Sequence, residues 1–316
     1  MTMTEKREVL TEKQMKKMKL KRVLKRELGA WGFLLPHFFF FVLFIVIPVV
    51  YGFIMSFYRW SLLGTTRFIG LDNYVRIWND SRFWQSVKNT VMFAIISIPL
   101  VMGVSMIFAL LLKEKWYGKL WLLVAFVSPT FFSSVGVLTT WRWIFSSAPN
   151  GLLNYYLTKI GLLKQPISWF ETSARAWACI IGVTIWWIIG FSVLLYLGAL
   201  QRIPPEQYEA AKIDGAGPWA RFIYITLPWM RNVLFFDVVR QVLLAFGLFD
   251  QVYFFTGGGP AGSTRTMVYY LYMVGFERQQ LGRAAAISWY MFIIIFGFAL
   301  INLFILTRSI RGAEGE

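Results

Sequence analysis

Six uninterrupted apolar stretches dominate the pattern of hydrophobic and polar positions, at residues 30–57, 89–112, 120–145, 174–200, 233–255 and 284–307. Each is long enough to cross a hydrocarbon core of about 30 Å, which takes about 20 helical residues. The spacing therefore predicts an all-α polytopic membrane protein with six transmembrane helices. Pro36, Pro48, Pro99 and Pro129 fall inside these runs. Neighbouring spans can satisfy the backbone groups that proline frees, so kinks rather than breaks are expected there. The first run follows a basic stretch as a signal peptide would, yet it is too long and lacks a small-residue cleavage site, so it reads as a retained anchor. No internal repeat or second soluble domain is visible, which leaves a basic segment at 1–28 and a six-span domain at 29–316.

Composition supports the same picture. The 316 residues are 57% hydrophobic and 15% charged, outside the range of soluble domains. The net charge of +16 does not indicate a nucleic-acid partner, because the basic residues gather at the ends of apolar runs. With the N-terminus inside, inner segments hold nineteen Lys and Arg and outer segments twelve over more residues. That bias places both termini in the cytosol of a bacterial-type plasma membrane. Residues 1–28 then form a basic cytosolic segment held near anionic lipid. The single Cys179 reads as a small buried hydrophobe, and the single His37 as a hydrogen-bonding residue early in the first span.

Between the fourth and fifth runs lies a polar loop, 201–228, containing Glu209-Ala210-Ala211, then Ile213-Asp214-Gly215-Ala216, Ile225 and Leu227-Pro228. Pro204 and Pro205 suit the first turn of a helix over 205–213. Asp214 to Gly217 reads as a glycine cap and turn, and Pro218 can open a second helix towards Leu227. The expected product is a cytosolic helical elbow. Its alanines permit close approach to a groove, with Tyr208 and Ile213 giving apolar contact.

The spacing Glu-Ala-Ala, three residues, Gly, nine residues, Ile, one residue, Leu-Pro resembles the membrane subunits of ATP-binding-cassette importers that depend on an extracytoplasmic binding protein. The run Leu248 to Tyr253, followed by Thr256-Gly257-Gly258-Gly259-Pro260 and Thr264-Arg265-Thr266, is similar to the carbohydrate-type permeases, the maltose and glycerol-phosphate importers among them. The resemblance runs from the first span to the sixth, without departure from the coupling motif. It implies a type I importer permease forming half of a translocation pore, with a second, related permease as the other half. It also implies two cytosolic ATPase subunits carrying Mg-ATP and gripping the elbow through Glu209, Ala210, Ala211, Asp214, Gly215, Ile225, Leu227 and Pro228. An extracytoplasmic sugar-binding protein would dock outside. No cofactor is expected in this chain. Gly257 to Pro260 is no phosphate cradle, because no Gly-Lys-Ser/Thr follows.

Charges within spans are functional suspects because each costs about 2.5–3.5 kcal/mol at a helix centre on insertion scales. Asp237 and Arg240 are three apart on one helical face, which suits an ion pair. Asp250, Gln251 and Tyr253, with Trp186 and Trp187 as aromatic platforms, are the candidates for the substrate path. A competing reading makes the chain an ion-gradient-driven secondary transporter, with Asp237, Arg240 and Asp250 as its relay. An enzyme acting on lipid-linked sugars would need a catalytic base or metal site that the sequence does not offer. An importer of amino acids or peptides is disfavoured only by the 250–260 region.

Overall fold

The computed structural model describes residues 31–60, 66–114, 117–148 and 151–314, with side chains to residue 308. The basic segment 1–28 lies outside the described residues. The chain divides into two units, Met1–Met55 and Ser56–Glu316.

The first unit is built on the first span, the helix Trp31–Ser56. Its apolar side chains are largely exposed, among them Phe33, Phe40 and Phe44, so this surface requires an apolar environment. One π-helical turn, Val42–Val46, is closed by the Ile47 N–H on the Val42 carbonyl. It ends two residues before Pro48, whose missing N–H leaves the ordinary helical ladder incomplete. His37 stacks on Phe41 at 6.3 Å between ring centroids.

In the second unit a two-residue hairpin (Tyr58–Arg59 with Arg67–Phe68) and the short helix Asp72–Trp78 precede the second span, Ser81–Lys113. That span starts eight residues before the apolar run, because Asp80 caps it: its Oδ1 accepts from the Arg82 N–H at 2.9 Å. Pro99 lies inside this helix without interrupting it. The fourth span, Ser173–Leu200, makes the most extensive helix–helix contact of the fold with the second. Small and polar residues such as Ala94, Ser97, Ala109 and Ser192 are buried there, which suits close helix packing without a hydrophobic driving force in lipid. Cys179 is buried in the same core, as expected of a small hydrophobe.

The third span departs from its expected form. Rather than one kinked helix over 120–145, it is two arms, Lys119–Phe131 and Ser134–Ile144, bent by 105°. Pro129 sits in the 3-10 turn Ser128–Phe131 that ends the first arm. Packing holds this bend: a Cβ on Gly190 of the fourth span would lie 2.3 Å from the Phe126 carbonyl oxygen, so only glycine admits the crossing.

The fifth span also differs. Helix opens at Pro218, as expected, but runs on without a break through a π turn, Phe222–Thr226, into Leu227–Phe246, so the span and the elbow's second helix are one. It is then interrupted at Gly247, and a separate short helix, Asp250–Phe255, follows. Asp250 therefore opens a new helix instead of continuing the fifth span's ladder. The sixth span, Leu281–Arg308, is pinned near its start by an Arg283–Asp80 ion pair at 2.7 Å. The Tyr270 hydroxyl donates to the same carboxylate at 2.6 Å.

Candidate functional site

The elbow helix spans Pro205–Ile213, as the proline and glycine signals predict. Glu206 lies in its first turn and Lys212 in its last, each favoured by the helix dipole. Gly215 adopts φ +80°, and two bonds close the end: Ala216 N–H to Ala211 O at 2.8 Å and Gly215 N–H to Lys212 O at 3.1 Å. This is a Schellman termination, which needs the left-handed conformation that glycine supplies at least cost. No side chain of the elbow helix is buried, and Ile213 is 87% exposed. Glu209 and Ala210 face out, while Ala211 is half-buried.

The elbow is nevertheless tied to the spans. The Tyr208 hydroxyl hydrogen-bonds the Thr226 hydroxyl at 2.9 Å, and the Lys113 ammonium lies 3.9 Å from the Tyr208 ring centroid. The Trp229 indole N–H donates to Gln207 Oε1 at 2.7 Å. Tyr208, expected as an outward contact, thus turns inward, and Ile213 alone of that pair stays exposed. Ile225 and Leu227 pack with Tyr208 and Phe222 against the buried cluster of Met106, Tyr196, Leu200 and Met230. The Leu227 N–H closes the π turn on Phe222 O immediately before Pro228. The motif therefore divides in two: Glu209, Ala210, Asp214 and Gly215 shape an exposed lever, and Ile225, Leu227 and Pro228 root it in the fifth span. Beside the lever a cleft of about 980 Å³, lined by Lys113, Glu209, Lys212 and Trp219 among others, separates it from the second span.

Deeper in the bundle, Asp250, Gln251 and Trp187 line a cavity of about 210 Å³ with Ser97, Thr184 and Gln241. The Gln251 amide donates to Thr184 Oγ1 at 3.3 Å. Trp186 and Tyr253 are not brought to it. Trp186 meets Trp141 edge-on at 5.5 Å, and Tyr253 joins an aromatic group with Phe249 and Tyr272.

Next to this cavity Asp237 is fully buried and accepts from Tyr196 Oη at 2.6 Å, Ser192 Oγ at 3.3 Å and Arg240 Nε at 2.9 Å. Arg240 also donates to Ser192 Oγ at 2.7 Å and lies over the Phe191 ring. Gln241 donates to the same serine oxygen at 3.2 Å. The sequence signalled the Asp237–Arg240 pair. Ser192, Tyr196 and Gln241, which complete the network, carried no sequence signal beyond being polar in a span.

The glycine-rich segment after Phe255 is tied by hydrogen bonds to the second and fourth spans. Asn89 Nδ2 donates to Gly262 O and Arg265 O at 3.0 and 2.9 Å, and Trp177 Nε1 donates to Ser263 O at 3.0 Å. Thr266 Oγ1 donates to Leu248 O at 2.7 Å, and Thr90 Oγ1 accepts from the Met267 N–H at 3.0 Å.

Residues 75–307 match the family described as the binding-protein-dependent transport system inner membrane component. The chain belongs to this family. It is 33% identical over 281 residues to the lactose transport system permease protein of Rhizobium radiobacter, covering 86% of this chain and 92% of that protein. It is 32% identical to the trehalose/maltose transport system permease protein of Thermococcus litoralis, covering 89% and 95%. Among solved structures, a bacterial ABC transporter involved in the import of the acidic polysaccharide alginate matches with TM-score 0.80 at 22% identity, over 92% of this chain and 99% of that one. That likeness shows the fold, which is the type I permease fold. The chain is thus a multi-pass inner-membrane transport permease and not an enzyme. In this permease the exposed lever, its rooted base and the small polar cavity are separate parts of one span bundle.

Proposed function

We propose that this permease is half of the pore of an ATP-driven carbohydrate importer, and that Pro204 to Pro228 transmits work from cytosolic ATPase subunits to the spans. The observation that carries this reading is the elbow: an exposed, rigidly terminated helix tied through Gln207 and Tyr208 to the second and fifth spans, with its far end left free. A surface helix with no buried side chain gains little by packing on its own chain, and its order suits a groove on a partner. The substrate class follows from the relatives, which are named for lactose, trehalose and maltose. Asp250, Gln251 and Trp187 suit such a solute, since carboxylate and amide groups take hydroxyl hydrogen bonds and an indole face takes the apolar side of a sugar ring.

Both termini and the elbow then lie in the cytosol. A second, related permease completes the pore, two ATPase subunits hold Mg-ATP beneath the elbows, and a sugar-loaded binding protein docks outside. Moving such a gate from mostly shut to mostly open needs about 5.5 kcal/mol of differential binding, which nucleotide binding can supply. Against the rival ion-relay reading stands the engagement of Asp237 by Arg240, Tyr196 and Ser192, which already occupy its carboxylate oxygens.

The test is uptake of labelled lactose and trehalose by proteoliposomes holding both permeases and the binding protein, with and without ATPase subunits and internal Mg-ATP. Accumulation only in the complete system supports the proposal. Accumulation driven by a proton or sodium gradient in the absence of ATPase overturns it.

A further inference from the structure

A second cleft, at the end of the molecule opposite the elbow, has no part in the reading above. It encloses about 580 Å³, within the range of small-molecule sites, and is lined by Arg142, Trp143, Ser146, Ser168, Trp169 and Glu171. The fourth span fixes its position: Ser173 opens that helix beside the cleft, and Leu200 closes it against the elbow's cluster, 28 residues or about 40 Å further on.

The cleft is built in advance of any ligand. Asn154 is fully buried, and its amide donates to Ser146 O at 2.9 Å and Ile167 O at 3.0 Å. Its Oδ1 accepts from the Ile167 N–H at 3.3 Å and from Trp169 Nε1 at 3.2 Å. Both donors and both acceptor sites of one side chain are thus used to hold the two rims and to orient an indole that lines the cleft. Below, Phe145 packs against Phe170 and Phe255, with Phe170 stacked on Phe255 at 5.5 Å, so the floor is fixed. The functional groups at the mouth are left open. Trp143 is 52% exposed, and Arg142 and Glu171 form no ion pair among the described residues.

We propose that this cleft is an outer saccharide subsite holding one neutral sugar unit. The assignment rests on the carbohydrate reading above and adds to it a place on this chain outside the central cavity. Indole faces take the C–H side of a pyranose, while serine hydroxyls, a guanidinium and a carboxylate offer the mixed donors and acceptors that vicinal hydroxyls need. The lining carries one positive and one negative charge, so a uronate meets repulsion from Glu171 alongside attraction from Arg142. A neutral sugar uses both.

The test is saturation-transfer-difference NMR on the full chain in lipid nanodiscs, with lactose and trehalose as probes and glucuronate as the acidic comparator. Transfer to the neutral sugars should fall about tenfold in Trp143→Ala, on the scale of one lost aromatic contact, and also in Glu171→Gln. Trp78→Ala, an exposed aromatic on a different surface helix, should keep the signal. If Trp143→Ala does not fold, the exposed Glu171→Gln decides. Unchanged transfer in the cleft variants overturns the subsite, as does preference for glucuronate. A wild-type chain without transfer, in an importer that still takes up lactose or trehalose, overturns the subsite alone. An importer that takes up no saccharide removes the carbohydrate reading and the subsite with it.

Discussion

Replacing Gly215 by alanine isolates the elbow's backbone from its surface chemistry. Gly215 holds φ +80°, yet a Cβ added there meets nothing within 4 Å. The change therefore introduces no clash, and its whole effect lies in forcing an L-residue into the left-handed region, which costs about 1–2 kcal/mol. Reduced freedom of the frayed segment offsets about 0.4–1 kcal/mol of that, leaving a net penalty of about 1 kcal/mol against the ordered elbow. The elbow can escape the strain only by giving up the two closing bonds at Ala216 and Gly215. Gly217 is the matched control: its φ is −68° and its Cβ site is equally open, so alanine there should be neutral or slightly favourable. With purified permease pair and ATPase subunits, Gly215→Ala should weaken subunit binding about fivefold, the equilibrium factor for 1 kcal/mol, and lower sugar-stimulated ATP hydrolysis with it. Gly215→Asn should recover part of the loss, because asparagine tolerates this conformation. Equal behaviour of Gly215→Ala and Gly217→Ala, or wild-type binding by Gly215→Ala, would refute the reasoning.

Two further expectations follow from the polar networks. Asp237→Ala leaves Arg240, Tyr196 and Ser192 without their common acceptor, and removing one partner of a buried pair costs about 3–5 kcal/mol; thermal unfolding in detergent should show a large loss, with Asp237→Asn losing less. At the start of the second span, burial opposes the Asp80 charge, but the Tyr270 hydroxyl, the Arg82 N–H and the Arg283 and Arg82 charges outweigh it and hold the carboxyl below its ordinary value. The stability Asp80 contributes is therefore complete above the unfolded value of about 3.9 and is lost as pH falls through the lower folded value. Burial, then the hydrogen bond to Asp80, push the Tyr270 phenol up to about 12, so its contribution is complete below about 10 and lost as pH rises towards 12. Asp80→Asn should flatten the acid limb of an unfolding-against-pH profile, and an unchanged acid limb would contradict this assignment.

What was legible in the sequence was local. Proline at the start of the elbow helix and glycine at its end are chemical punctuation, and the observed Pro205–Ile213 carries both. The bend of the third span was not legible because Pro129 announces a lost hydrogen bond but not the 105° angle, which depends on Gly190, distant in sequence yet in direct contact with the first arm. The fifth span began early because Phe222 to Thr226 are apolar enough to continue a helix through a π turn, a register that leaves no compositional mark. Choosing between Trp186 and Trp187 required the rotation of the fourth span, since adjacent helical residues point about 100° apart. Only Trp187 reaches the cavity. Tyr208 turned inward for a like reason: its partners, Lys113 and Thr226, come from other elements.

The most direct measurement concerns the tip of the lever, Ile213. In a chain carrying Cys179→Ser and Ile213→Cys, a short bifunctional thiol reagent should link the tip to a cysteine-bearing ATPase subunit co-expressed in the same cells. A membrane-impermeant maleimide added outside intact cells should leave the tip unlabelled. Labelling from outside, with no cross-link to the ATPase, would contradict the account.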